Sequence, residues 1–371
     1  MMYETDLVVI GGGPAGLMAA NTAAGAGASV LLLERDRHLG GQLIKQTHKF
    51  FGSEKQHASE RGIDIAALLG DELKSLEDRV TVWTHATAVG LYDDGVITVD
   101  YDGTYRKVRP KRIVAATGAS EKFLSFPNND LPGIYGAGAV QTMMNVYGLR
   151  PGKRVLMIGA GNIGLIVSYQ LLQAGVSVAA VVEGLPQIGG YAVHASKIRR
   201  AGVPILTSHT IVRADGKESV ESAVIAEIGS DWKVVRGSEQ TIPCDVICIS
   251  VGLTPLTELL WQAGCEMRYI PALGGYVPAR SDRLETTVPG IYVAGDAAGI
   301  EEASAAMVEG HLAGLEAALS LGFGGDGCEE ERADCLKQLS SLRSGPTAEK
   351  IRAGLSCAHG CQTPKRRDEH A

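Results

Sequence analysis

Residues 6–34 read DLVVIGGGPAGLMAANTAAGAGASVLLLE, and residues 153–183 read KRVLMIGAGNIGLIVSYQLLQAGVSVAAVVE. Both follow one plan: an apolar run, a glycine cluster, a helical stretch of small residues, a glycine break, and a second apolar run ending in glutamate. Each is a βαβ unit, so a long-range repeat sets the architecture before any single element is assigned. The apolar runs are continuous rather than alternating, as strands buried on both faces of a parallel sheet require. The fold class that follows is α/β, with two Rossmann-like, doubly wound dinucleotide-binding domains.

The first unit carries Gly11, Gly13 and Gly16 in the pattern G-x-G-x-x-G, with Pro14 and Ala15 inside it. In this pattern the first glycine makes the tight turn and the second lets a pyrophosphate approach the backbone. The third lets the helix pack on the strand. The helix start then offers unpaired N–H groups and a positive dipole end to the phosphates. Glu34, followed by Arg35, ends the second strand where a carboxylate can accept hydrogen bonds from ribose hydroxyls. The second unit repeats the pattern with Gly159, Gly161, Asn162 and Gly164, and its acidic residue is Glu183. Either loop alone reads equally well as a flexible turn; the strand before, the helix after and the spaced acid, present twice, favour two dinucleotide sites. A carboxylate at Glu183 repels a 2′-phosphate, and residues 184–190 (GLPQIGG) hold no basic group, so NAD(H) is expected over NADP(H).

Working outward, 80–84 (VTVWT), 96–101 (VITVDY), 112–117 (RIVAAT), 244–251 (CDVICISV) and 290–295 (GIYVAG) read as further strands, and 302–321 as a helix broken by Gly322–Gly327. Glycine supplies 47 of 371 residues, nearly twice the usual share of about 7%, without a collagen period. The net charge of −7 argues against nucleic acid as the main partner. No signal peptide and no membrane-spanning stretch stands out, and seven cysteines, an odd number, fit a reducing compartment. A cytoplasmic setting is the expectation.

With these motifs the chain resembles the two-dinucleotide-fold flavoproteins of the pyridine nucleotide-disulfide oxidoreductase superfamily, especially the thioredoxin-reductase-like branch, over about residues 5–322. Four blocks carry the resemblance: the first glycine loop; Gly40, Gly41, Gln42 and Leu43; Ile113–Gly118 (IVAATG); and Pro289–Ala297 (PGIYVAGDA). It implies that the first loop binds the ADP half of FAD. The segment after Gly40-Gly41 would lie beside the flavin ring, which implicates Gln42 first and then Gln46, Thr47 and His48, and Gly41, Thr117, Gly118, Gly295 and Asp296 would complete the FAD site, with Asp296 on its ribityl-pyrophosphate part. It also implies that the NAD domain, 122–254, is inserted in an FAD domain made of 1–121 and 255–325, followed by a charged, Cys-containing helical tail, 326–371. Lys45, His48 and Lys49 could tune a flavin, but an ordinary solvated loop is the plainer reading.

The cysteines depart from the disulfide reductases that the resemblance includes. Residues 1–243 hold none, and Cys244 and Cys248, four apart in a strand-like run, are expected on one face and too far apart for a relaxed bridge. With Cys265 they read as core or surface thiols. The closer likeness is to the FAD- and NAD-binding subunits of sarcosine oxidase (alpha), opine oxidase (A), hydrogen cyanide synthase and dye-linked proline dehydrogenase. That likeness implies an FAD/NAD(H) oxidoreductase passing electrons without a redox disulfide. Its expected partner is a second flavoprotein dehydrogenase subunit, with an iron–sulfur protein as a further candidate, in an oligomer. The alternatives are a stand-alone NADH-dependent reductase acting on a small acceptor or ferredoxin-like protein, and a non-catalytic assembly subunit with structural NAD. In the tail, Cys328, Cys335, Cys357 and Cys361 with His359 could suggest a cluster or zinc, but the front pair lacks compact spacing. No metal is expected; a charged helical arm, 329–342, docking on a partner or a second copy is favoured.

Overall fold

The computed structural model describes residues 2–51, 53–345 and 348–360. The chain divides into two compact units, one of residues 1–120 and 254–371, the other of residues 121–253. The first is built on the strand Met2–Ile10, which pairs in parallel with Val30–Leu33 on one side and Thr104–Ala115 on the other. Val80–Trp83 and Ile291–Val293 extend the parallel sheet, and Ile97–Tyr101 and Ala86–Leu91 add antiparallel strands beyond Thr104–Ala115. Leu7, Val9, Val30, Leu32 and Val114 enter one apolar cluster, whereas Val8, Ile10, Leu31, Leu33 and Ile113 enter the cluster on the opposite face. Burial on both faces is why the sequence runs are continuously apolar.

On the first face the helices Pro14–Gly25 and Ala303–Ser320 cross with their backbones almost touching. A Cβ on Gly310 would fall 2.1 Å from the Ala15 carbonyl oxygen, and one on Gly314 would fall 2.4 Å from that of Ala19. Part of the glycine excess therefore serves a helix–helix contact and not a loop.

The second unit has five parallel strands, in the order Ile205–Thr207, Ser177–Glu183, Arg154–Ile158, Val246–Ile249 and Ile134–Gly136. An antiparallel set, His209–Asp215, Ser222–Glu227 and Gln240–Pro243, accompanies them. The expected common face for Cys244 and Cys248 is corrected here. Cys248 packs with Val246, Val155 and Met157, while Cys244 packs with Ile247, Ile249 and Leu156 on the opposite side. The strand begins only at Val246, so the two-residue alternation that holds from there onward does not extend back to Cys244.

The charged arm is also corrected. The helix Cys328–Leu342 lies on its own chain, with Cys335 and Leu339 buried in the cluster beneath Ala303–Ser320. Ion pairs hold it there: Lys55 to Asp334 at 2.7 Å, Arg332 to Glu316, and Arg343 to Glu301 at 2.7 Å. The helix Glu349–Ala358 follows and buries Leu355 and Ala358 against Leu273 and Val277. Cys335 and Leu339, buried beneath the charges, fix together with these pairs where the arm docks. Cys361 and the terminal PKRRDEHA lie outside the described residues. Among the described residues no helix is long and apolar enough to cross a membrane.

Candidate functional site

The first glycine loop leaves the sheet at Ile10. Gly11 has φ +106° and donates its N–H to the Leu33 carbonyl at 2.8 Å, tying the loop to the neighbouring strand. A Cβ on Gly11 would stand 2.3 Å from the Ala116 carbonyl oxygen, and one on Gly16 only 1.7 Å from that of Gly11. Gly13 differs: a Cβ there would meet nothing nearer than the Gly41 Cα at 3.9 Å. The open side of the loop is thus at Gly13, where the helix Pro14–Gly25 begins without a side-chain cap. Pro14 at its first position has no N–H to leave unpaired. This is a cradle of the shape and polarity that a pyrophosphate fills, and in that respect the residues fit the ADP half of a dinucleotide.

Glu34 is buried, and its carboxylate clamps the loop. Oε2 accepts the N–H of Gly12 at 2.8 Å and Oε1 that of Asp36 at 2.7 Å. The second unit repeats the arrangement atom for atom. Glu183 accepts the N–H of Ala160 at 2.7 Å through Oε2 and that of Leu185 at 3.0 Å through Oε1. Gly159 has φ +109° and donates to the Val182 carbonyl at 2.7 Å. A Cβ on Gly164 would sit 2.2 Å from the Gly159 oxygen, and Gly161 faces open space at the uncapped start of Asn162–Gln173. A carboxylate offers about four lone-pair sites, so each glutamate retains acceptor capacity for ribose hydroxyls.

A further correspondence was missed in the sequence. Gly40 donates its N–H to the Gly12 carbonyl at 2.8 Å, and Gly190 donates to the Ala160 carbonyl at 2.9 Å. The pair Gly40-Gly41 therefore has a counterpart in Gly189-Gly190, and the repeat reaches beyond the two glutamates. The signal was present in LGG at 39–41 and IGG at 188–190, each beginning five residues after its glutamate, although the donor is the first glycine of one pair and the second of the other. Asn162 stabilises the second copy by accepting the Tyr191 N–H at 2.8 Å.

The late block returns to the first unit. Gly295, with φ +68°, follows the strand Ile291–Val293, and a Cβ on it would fall 2.9 Å from the Ala15 Cβ, so Asp296 is held beside the start of the first helix. Burial raises the Asp296 carboxyl from 3.8 to about 6, assisted by the charges of Glu309 and Glu301, against a weak bond from the Glu301 N–H at 3.4 Å. Thr117 donates its hydroxyl to the Leu256 carbonyl at 2.6 Å, and Gly118 has φ +76° with open space before it. Arg35 and Gln42 are exposed, the latter in the short helix Gly41–Lys45, and His48 stacks on Phe50. The predicted residues thus fall into two sets, each assembled within one unit.

Sequence reasoning overlooked the buried charges beneath Asp296. Glu309 accepts the Gly295 N–H at 2.9 Å and an Arg343 N–H at 2.5 Å, and Arg280 stands 3.7 Å away. Two glutamates, Glu309 and Glu316, inside the alanine-rich stretch 303–320 were the available signal. Four thiols are secluded: burial pushes Cys244 up to about 12 and Cys335 up to about 11, and Cys248 and Cys265 also rise. Among the described residues no group of three or more His, Cys, Asp or Glu side chains is placed to hold a metal ion.

Comparison with known proteins places this geometry. The profile of the pyridine nucleotide-disulphide oxidoreductases matches residues 5–310. The A chain of opine oxidase from Agrobacterium tumefaciens is 31% identical over 330 residues, 85% of this chain and 66% of that one. The alpha chain of sarcosine oxidase from Corynebacterium sp. (strain P-1) is 29% identical over 341 residues, 86% of this chain and 33% of that one. The chain therefore spans less than two thirds of the length of these relatives. Among solved structures, L-proline dehydrogenase from P. horikoshii superimposes with a TM-score of 0.66 at 24% identity, covering 90% of this chain and 60% of that one.

Proposed function

The chain belongs to the pyridine nucleotide-disulphide oxidoreductase family, and from that premise we propose that it is an FAD-dependent oxidoreductase in which NAD(H) and FAD exchange hydride without a redox disulfide. The observation that carries this reading is the duplicated clamp: Glu34 on the Gly12 N–H, and Glu183 on the Ala160 N–H. Two independently built dinucleotide cradles in one chain call for two dinucleotides.

The first loop, through Gly11, Gly13 and Gly16, cradles the pyrophosphate of FAD, with Glu34 toward its ribose. Asp296, Thr117, Gly118, Gly41 and Gln42 complete that site. The second loop, through Gly159, Gly161, Asn162 and Gly164, takes the pyrophosphate of NAD(H), and Glu183 disfavours the 2′-phosphate of NADP(H). A bound flavin supplies two-electron hydride chemistry, and the protein's contribution is to position the cofactors and exclude competing reactions. Hydride transfer of this kind requires no protein acid or base. The lack of any cysteine in residues 1–243, together with the seclusion of Cys244, Cys248 and Cys265, supports a route without dithiol chemistry.

Relatives named as subunits of opine oxidase and sarcosine oxidase support a place in an amine or amino-acid oxidase or dehydrogenase complex, beside a second flavoprotein. The test is anaerobic: the purified yellow protein is titrated with NADH and with NADPH while flavin absorbance is followed. Rapid bleaching by NADH and slow bleaching by NADPH is the expected result. No bleaching by either defeats the proposal and leaves a structural role for the nucleotide.

A further inference from the structure

Arg280 is 1% exposed, yet its guanidinium is poorly satisfied. Of the five N–H donors an arginine carries, one at Nη1 reaches an acceptor, the Ala298 carbonyl at 2.5 Å. Nη2 stands 3.7 Å from Glu309, beyond hydrogen-bond distance, and Nε has no partner. Glu309 is engaged by the Gly295 N–H and by Arg343, and its carboxylate lies too far from Arg280 to accept a hydrogen bond from it. Burial accordingly pulls the Arg280 guanidinium below its ordinary value. A buried donor without an acceptor costs free energy, and a charged one costs more, so an acceptor brought to this guanidinium would be held favourably.

Arg280 lines a cavity of about 240 Å³ within the first unit. Two more arginines reach it. Arg343 uses Nε and Nη2 on Glu301 and Glu309, and Arg352 uses Nη1 on the carbonyls of Arg343 and Gly345. Leu284, Leu336 and Leu339 supply the apolar part of the wall, and the carboxylates of Asp282 and Glu309 also line it, so its three guanidinium groups outnumber its two acids. A chamber with guanidinium groups and a leucine wall suits a ligand with a carboxylate and a short apolar body, because planar guanidinium donors match carboxylate oxygens in pairs.

We propose that this cavity, bounded by Arg280, Arg343 and Arg352 and walled by Leu284, Leu336 and Leu339, binds a small organic carboxylate. The site is separate from the glycine loops, and the proposal does not depend on which reaction the chain performs. It adjoins the Asp296 segment, since Arg280 donates to Ala298 and Glu309 holds Gly295.

The experiment is thermal unfolding of the full-length protein with its flavin bound, in the presence of sodium butyrate, inorganic phosphate or n-butylamine at matched ionic strength. Butyrate should raise the melting temperature by roughly 2 °C for each tenfold excess over its Kd, as a ligand that binds only the folded state must. Phosphate lacks the apolar body and n-butylamine the acceptor, and neither should do so. Two variants follow: Arg280→Met, which removes the unsatisfied donor, and Leu336→Trp, which fills the chamber from its exposed rim and does not depend on the buried charge for folding. Loss of the butyrate effect in Leu336→Trp, and in Arg280→Met where it folds, supports the site. Absence of any butyrate effect in the parent, or an effect that persists in Leu336→Trp, overturns it. An equal effect of phosphate overturns the assignment to an organic carboxylate.

Discussion

Glu309 accepts the backbone N–H of Gly295 at 2.9 Å, reaching out of the Ala303–Ser320 helix to hold the turn that carries Asp296. The same carboxylate accepts from Arg343 of the C-terminal arm, so the arm and the Asp296 turn share one buried anchor. Removing its charge leaves Arg280 buried without its nearest counterion and Arg343 with Glu301 alone. Glu309→Gln should lower unfolding stability by about 3–5 kcal/mol and speed FAD release on dilution, both read from urea melts and flavin fluorescence. A urea midpoint within error of the parent would show that the anchor contributes little.

Asp296 itself makes stability depend on pH. Its carboxyl is raised by burial from 3.8 to about 6 in the folded protein, so folding favours the protonated form. The stability this contributes is complete below the unfolded value and is lost as pH rises through about 6, a change on the order of 3 kcal/mol. Urea melts of the flavin-free protein from pH 3.5 to 7 should therefore fall more steeply than those of Asp296→Asn. Parallel profiles for the two proteins would count against a raised carboxyl.

Glycines of equal sequence prominence should respond differently. Gly16→Ala drives a methyl into the Gly11 carbonyl and should cost about 3 kcal/mol or more, with loss of bound flavin. Gly25→Ala, at the end of the same helix with nothing within 4 Å, should be neutral or stabilise by about 0.4–1 kcal/mol. Calorimetric melting of the two variants side by side checks the contrast.

Replacing Glu183 tests the second cradle. Glu183→Ala removes the clamp on the Ala160 N–H and the ribose acceptor together, and should raise the KM for NADH about tenfold or more. Glu183→Arg should shift preference toward NADPH. Flavin-reduction rates with the two nucleotides give both numbers, and an unchanged ratio in the arginine variant would remove Glu183 from the recognition of the ribose.

Thiol chemistry should be dispensable. Treatment of the native protein with iodoacetamide at neutral pH should leave Cys244, Cys248, Cys265 and Cys335 unmodified by mass spectrometry, since each is buried with its thiol raised. The exposed Cys357 should be labelled, without change in NADH-driven flavin reduction. Loss of reduction on alkylation would reopen a role for sulfur.

Much of the candidate site was legible because its parts are local. Gly11, Gly13, Gly16 and Glu34 lie within one βαβ unit, as do Gly159, Gly161, Gly164 and Glu183, and their spacing follows from the length of one strand–helix–strand passage. The role of the glutamates was only half legible: spacing pointed to a ribose acceptor, while the structure adds a clamp on the loop's own N–H groups. Cys244 was misplaced because two-residue alternation was extended past the strand's first residue, Val246. The docking of 328–342 was misread because charge is conspicuous in a sequence, whereas Cys335 and Leu339 stabilise the arm by burial.

By itself the sequence determined the α/β class, the twofold use of one βαβ plan, and the two glycine loops with their acidic partners. Each of these is written in periodicity and in spacings of a few tens of residues, where backbone geometry leaves few choices. Only the tertiary structure decided that Arg280, Glu301, Glu309 and Arg343 form one buried network, that the arm completes it, and that a cavity opens beside it. Those residues sit on separate segments, and charge pairing over such separations is set by how helices pack, which no local pattern records.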